Sequence, residues 1–325
     1  SYISCQVGSG DGYSYSSDGI NWTSVTDSVR TRAAIYNGSR WVITRDTGAL
    51  IFYSDDGGAT LNTTTGSKSS QTFDVDYSKE LDIWVAVGGN AANRIIYSTD
   101  NGESWIASTN GDTLFDVQVV RVAAGNGIFI AFGSTANTTD RMVSSIDGDN
   151  WTDRGNPLSP GIQNFGKYIP WLDLWIICGD NGSSVGTAAW SNGNTFSWTA
   201  ATGLSIAAIY TDIIDDDNRV IMLGTGSGNS YITISTDGKA WSTPVEIISG
   251  VELRSITLDA INGKWIGSHF LGGSAYESNK VDETWTAISG SSSWAGTNDR
   301  GIITSFGPRG RQKSIRENEI ETKYM

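Results

Sequence analysis

The chain has little that could hold a metal ion or attract a polyanion. One histidine and two cysteines among 325 residues leave almost nothing for a zinc site. Lys and Arg total 22 against 35 Asp and Glu, a net charge of −13. Phosphate binding needs a basic footprint, so no nucleic-acid partner is expected, and an anionic membrane surface is disfavoured for the same reason. No apolar run approaches the ~18 residues of a bilayer span, which argues against membrane insertion. Proline is scarce at 5 and charged residues make up only 18%. Long amphipathic helices would need far more Glu, Lys, Leu and Ala. The chain opens "SYISCQVGSG", with no initiator Met, basic region or apolar signal segment, and is expected to be a processed or excised piece of something longer.

What is abundant is glycine, at 39, together with 13 Trp, 12 Tyr and 9 Phe. Many short strands joined by Gly-, Asn- and Ser-rich turns produce this mixture, so the fold class is all-β. One stretch then recurs along the chain. It reads "YSSDGINW" (15–22), "YSDDGGATL" (53–61), "YSTDNGESW" (97–105), "SSIDGDNW" (144–151) and "ISTDGKAW" (234–241), with weaker copies at 190–198 and 276–285. The closing residues fall at 22, 61, 105, 151, 198, 241 and 285, a period in the low to mid forties. Four short strands per repeat, the size of a propeller blade, fit that period.

The Ser, Asp and second hydroxyl of Tyr97–Trp105 invite a catalytic reading, but a turn needs the same residues. A short acid at Asp18, Asp56, Asp100, Asp147 or Asp237 accepts backbone N–H bonds a few residues on, glycine supplies a positive φ, and Trp22, Trp105, Trp151 or Trp241 packs back between sheets. The stretch resembles the Asp-box repeat, S-x-D-x-G-x-[ST]-W, of sialidase-type propellers. "STDNGESW" matches it in full, "SDDGGATL" ends in Leu61, and three copies are one residue shorter before Trp. The resemblance implies a structural turn away from the active face. Between boxes run pairs of apolar strands around an "NG"-like turn, such as "AAIYNGSRWVIT" (33–44) and "VRVAAGNGIFIAFG" (120–133). These read as strands A and B of a blade, with the box joining C to D.

The expected architecture is therefore a seven-bladed β-propeller of four-stranded antiparallel blades over residues 1–307. Its ring is closed by a C-terminal strand beside the N-terminal ones. Counting "IITSFG" as a B strand of its own would make eight blades. Residues 308–325 form a charged tail, with five Lys/Arg against three Asp/Glu, that is expected to be a solvated extension. Cys5 and Cys178 fall in distant blades and are expected to be buried free thiols. The acidic turn 211–218 is read as an exposed A–B turn rather than a calcium loop, and no cofactor is expected.

A sialidase would need an arginine triad, a Tyr–Glu pair and an acid–base Asp. No Arg-Ile-Pro-like motif precedes the first box, and the Tyr–Glu pair of "AYES" (275–278) lies in the weakest copy. Units such as "LDIWVAVGG…IIYSTDNGESW" are instead similar to repeats of bacteriophage tail and fibre propellers. That resemblance implies a non-enzymatic virion component that binds a host-surface glycan or protein, or a neighbouring tail protein, placing it in the virion or outside the cell. An Asp-box glycoside hydrolase degrading a surface glycan is the alternative. Binding is expected on the D–A and B–C loops, whose candidate residues are Arg30, Arg32, Arg45, Asp46, Asn90, Arg94, Asn137, Arg141 and Arg154.

Overall fold

Short runs of β-branched and aromatic residues alternate with Gly, Asn and Ser turns throughout the chain, and these runs become strands. The structure is a computed structural model describing residues 2–6, 12–17, 21–26, 31–45, 48, 50–89, 92–115, 117–134, 140–159, 161–181, 183, 185–204, 208–259, 263–269, 275–288 and 303–305. It is a β-propeller. Blade I holds Tyr2–Gln6, Gly12–Ser16 and Thr23–Thr26, and blade II holds Thr31–Tyr36, Trp41–Arg45, Ile51–Ser54 and Asn62–Thr63. Blade III comprises Ile162–Ile169, Leu174–Asp180, Gly186–Asn192 and Thr199–Ala200. Blade IV comprises Ile209–Asp215, Val220–Gly226, Asn229–Ser235 and Val245–Ile248. Blade V comprises Leu253–Asp259, Lys264–His269, Ala275–Ser278 and Thr286–Ala287.

The expected count of seven or eight separate blades is corrected here. The structure shows five four-stranded blades, and the strands between blades II and III form one continuous nine-stranded sheet. Its path runs Thr152–Gly155, Asp140–Ser145, Ile128–Ser134, Gln118–Gly125, Ile83–Gly89, Ile95–Ser98, Ser104–Ala107 and Thr65–Gly66, with Gln71–Ser78 paired to Ile83–Gly89. The junction is the pairing of Gly89 with Gln118. A Cβ on Gly89 would stand 2.8 Å from that of Gln118, so only glycine lets the two strands meet there.

The fourth strand of blade I comes from the far end of the chain. Ile303–Ser305 pairs antiparallel with Tyr2, Ile3 and Ser4 and is the innermost strand of that blade. "IITSFG" therefore closes the ring as an inner strand. The expected tail, 308–325, lies outside the described residues.

Innermost strands neighbour one another in chain order: Thr31–Tyr36, Gln71–Ser78, Gln118–Gly125, Ile162–Ile169, Ile209–Asp215, Leu253–Asp259, then Ile303–Ser305. They surround the central channel of the propeller. Second strands are buried on both faces because each lies between neighbouring sheets, as Trp41–Arg45 and Leu174–Asp180 do throughout their length. Core layers fill the gaps between sheets. Ala33, Val42 and Ile51 of blade II pack on Val75, Trp84, Ile96 and Trp105, while Ile221, Leu223 and Ile232 of blade IV pack on Leu253, Ile256 and Trp265. Each such large side chain contributes ~1.5–3 kcal/mol by leaving water.

The outer rim has its own stitching. Past the outermost strand of blade II the chain crosses to the next sheet: Thr65 donates its N–H to the Glu103 carbonyl (3.0 Å), and Ser67 to the Trp105 carbonyl (2.7 Å). Thr202 repeats this between blades III and IV, donating to the Lys239 carbonyl and accepting from the Trp241 N–H, both at 3.0 Å. Thr109 donates to the Asp149 carbonyl, and the Asn110 carboxamide bonds both the N–H and the carbonyl of Trp151. These seams cover edge N–H and C=O groups that would otherwise be open to another chain.

Candidate binding face at the bulged end of the channel

The box residues lie in the turns between third and fourth strands. At Tyr97–Trp105 the Ser98 hydroxyl donates to Asp100 (2.8 Å) and accepts from the Gly102 N–H (2.9 Å), while Asp100 accepts the N–H of Ser104 (2.9 Å) and its hydroxyl. Asp56 accepts the Thr60 N–H in the same manner. In the shorter copies Asp147 takes the N–H groups of Asp149 and Asn150, and Asp237 those of Lys239 and Ala240. Burial opposes ionisation of Asp100, but the Ser104 hydroxyl and N–H outweigh it and hold the carboxyl below the ordinary range. At Asp56 the Thr60 N–H is the leading cause of a shift in the same direction. Gly102 has a φ of 83°, and its open face meets Val42 of blade II.

Trp105, Trp151 and Trp241 are buried, and Trp151 donates its ring N–H to the Gly148 carbonyl. Trp22 is half-buried against Tyr2, and Asp18 lies outside the described residues. These turns share one end of the propeller with the first-to-second-strand hairpins. Asn37 donates to Asn101 across sheets, and Arg40 pairs with both Asp55 and Glu103. Ser98, Asp100, the Gly102 N–H and Ser104 are thus engaged within the turn, and Asn101 and Glu103 with the neighbouring sheet.

The opposite end carries the loops expected to bind. Arg30, Asp46, Asn90 and Asn137 lie outside the described residues. Arg45 is buried, its guanidinium 4.6 Å over the Phe52 ring. Arg94 donates to the Val117 carbonyl and pairs with Asp112, which also accepts the Asn93 N–H. Arg141 donates to the Leu114 carbonyl and stands 3.4 Å from Asp153, whereas Arg154 donates to Ser144 and lies 4.4 Å over Phe196. These four hold loops and strands to one another. Arg32 differs, because it sits on an inner strand with its guanidinium 5.4 Å over the ring of Phe73 on the next one.

Arg32 belongs to a feature the strand periodicity did not disclose. Six inner strands carry one extra residue at the same place, where the register against the second strand shifts: Arg32, Phe73, Val120, Asn164, Thr211 and Arg254. Each extra residue is partly exposed, whereas the residue before it is buried. A bulge re-aims its side chain out of the pleat, here on strands whose free edge faces the channel. Buried polar atoms without a hydrogen-bond partner gather beside these bulges: Thr31 Oγ1, Thr72 Oγ1, Gln163 Oε1, Tyr210 Oη, Thr211 Oγ1 and Arg121 Nε. A second group, the ring nitrogens of Trp105, Trp198 and Trp241, lies at the outer rim.

Carboxylates next to the bulges cap the free edges of neighbouring inner strands. Asp74 and Asp76 accept the N–H groups of Val122 (3.1 Å) and Ala124 (2.9 Å), and Asp212 accepts that of Ile256 (3.2 Å). Burial pushes the Asp74 carboxyl up to about 6, against the opposing pull of Arg121 and the Val122 N–H. Burial likewise raises Asp212. In the acidic turn 211–218, Asp215 pairs with Lys167 and Asp216 with Arg219.

No protein-family model and no curated protein matches the chain. Solved structures do. A functionally unknown protein from Desulfotomaculum acetoxidans superposes with a TM-score of 0.70 at 13% identity, over 93% of this chain and 98% of that one. YCF48 bound to a D1 peptide gives 0.60 at 15% identity, over 83% and 85%. The WD40 β-propeller domain of Doa1 gives 0.53 at 12% identity, over 81% and 84%. At such identities the likeness is one of fold, and that fold is the β-propeller.

Proposed function

We propose that the protein is a non-enzymatic binding module that holds a partner protein over the bulged end of its channel, and that it serves in the virion as part of a bacteriophage tail or fibre. The observation carrying the first half is the repeated bulge, which gathers Arg32, Phe73, Asn164, Thr211 and Arg254 at one end. Guanidinium, aromatic and amide groups are the types that anchor protein interfaces. The peptide bound to YCF48 supports the same reading by analogy of fold. The virion assignment rests on the resemblance of the repeat units to tail and fibre propellers. The box carboxylates bond their own turns, and Asp74, Asp76 and Asp212 bond inner strands, which favours binding over a paired-carboxylate hydrolysis.

The test is surface plasmon resonance of the purified chain against the structural proteins of its particle and against host-surface proteins, with immunogold microscopy of intact particles. Binding should weaken at least tenfold in the double variant Arg32→Glu, Arg254→Glu. Release of reducing sugar from a host glycan, lost on changing a loop-face carboxylate, would replace this reading with a glycosidase.

A further inference from the structure

The rim seams point to a second docking place, independent of the bulged end. Counting four residues past the closing position of the box gives Thr65 after Leu61, Thr109 after Trp105 and Thr202 after Trp198. Each of the three donates its N–H to the carbonyl two residues before the next Trp, at Glu103, Asp149 and Lys239. The same count past Trp151 and Trp241 reaches Gly155 and Val245. There the chain stays with its own sheet: Gly155 pairs with Met142, and Val245 with Ile232. The gap beyond Gly155 is covered by Arg154 lying over Phe196.

Among the described residues, nothing crosses the gap beyond Val245. No bond joins Val245 to Glu283, and Val245 is exposed. Between the outermost strand of blade IV and the box turn of blade V lies a cleft of about 370 Å³, lined among others by Glu246, Ile247, Asp282 and Glu283. Glu283 and Thr284 of the lining lead directly to Trp285, the stretch that corresponds to the edge filled elsewhere at Glu103–Trp105 and Lys239–Trp241.

We infer that this cleft takes one extended segment of a partner protein, laid parallel to Glu283–Trp285 as Thr65–Ser67 lies along Glu103–Trp105. The seams at Thr65 and Thr202 supply the template for the backbone chemistry: an N–H to the Glu283 carbonyl, a carbonyl to the Trp285 N–H, and a glycine next, in the place of Gly66 or Gly203, where the third seam has Asn110. Those glycines have φ values of 83° and 86°, and a Cβ on either would run into the carbonyl of the adjoining Trp. The lining specifies the side chains. Glu246, Asp282 and Glu283 face the cleft, with Lys280 paired to Glu283 at its rim, so the segment should carry lysine or arginine.

The probe is a fluorescein-labelled peptide repeating residues 62–69, Asn-Thr-Thr-Thr-Gly-Ser-Lys-Ser, whose own copy fills the seam beyond blade II. Titrated against the whole chain, it should give saturable polarisation with a Kd below about 1 mM. It should also slow hydrogen exchange at the Trp285 amide. The double variant Asp282→Lys, Glu283→Lys should weaken it at least tenfold, and replacing the peptide glycine by valine should abolish it. No saturation, equal binding of the valine peptide, or an unprotected Trp285 amide would each overturn the proposal. The bulged end is untouched by these changes, so loss of peptide binding with retained Arg32- and Arg254-dependent capture separates failure here from failure of the proposed function.

Discussion

Replacing Gly66 by alanine tests whether the rim seams hold the propeller together. Gly66 has a φ of 83°, and a Cβ there would fall on the Trp105 carbonyl, which belongs to the backbone and cannot swing away. The left-handed conformation alone costs alanine ~1–2 kcal/mol. Parting the seam then forfeits the bonds from Thr65 to Glu103 and from Ser67 to Trp105, each worth ~0.5–1.5 kcal/mol. The total is about 2–5 kcal/mol. Gly228 supplies the control, with a φ of 82° and nothing within 4 Å of its would-be Cβ, so Gly228→Ala should lose only the conformational term. Urea unfolding of both variants, with hydrogen exchange at the Thr65 and Ser67 amides, measures the difference. Equal destabilisation of the two, or seam amides that stay protected in Gly66→Ala, would refute the role given to the seam.

Three further outcomes are expected. Asp100→Ala should destabilise the protein by ~1–3 kcal/mol by stripping partners from Ser98 and Ser104, while binding at the channel end survives; a stable variant that loses binding would make the turn functional. Burial raises the Asp74 carboxyl from 3.8 to about 6, so its stabilising contribution is complete below pH 3.8 and is lost as pH rises through 6, on the order of 3 kcal/mol in all. Asp74→Asn should therefore gain on the wild type between pH 4 and 7, and parallel pH–stability curves would count against this. Cys5 and Cys178 are buried free thiols, with burial pushing Cys5 up to about 12. Both should resist a thiol reagent in the native protein and react on unfolding; rapid labelling of the folded chain would be the contrary result.

Local chemistry was legible along the chain. A run such as Ile83–Gly89 becomes a strand because its residues prefer one, and Asp100 with Ser98 and Ser104 makes a turn within a few residues of itself. Information of that range is written in consecutive residues. The even repeat suggested equal, separate blades, and the fusion at Gly89 and Gln118 broke that expectation, because whether two strand ends meet depends on how neighbouring sheets are spaced. The loop arginines were legible as a type but not as a role. Arg94 and Arg154 were spent on Asp112 and Phe196, partners 18 and 42 positions along the chain, that only the packed sheets bring near.

The bulges were hidden for a related reason. Arg32, Asn164 and Arg254 look like ordinary strand residues until each inner strand is laid against its partner and one residue is found to be extra. The seams were hidden likewise, since Thr65 and Val245 occupy the same place after the box yet only one crosses to the next sheet. The sequence by itself determined the all-β class, the turn chemistry and the four-strand repeat, all of them consequences of local backbone preference. The tertiary structure alone decided which edges fuse, which are covered and which stay open, because a strand edge has no partner until another strand arrives beside it.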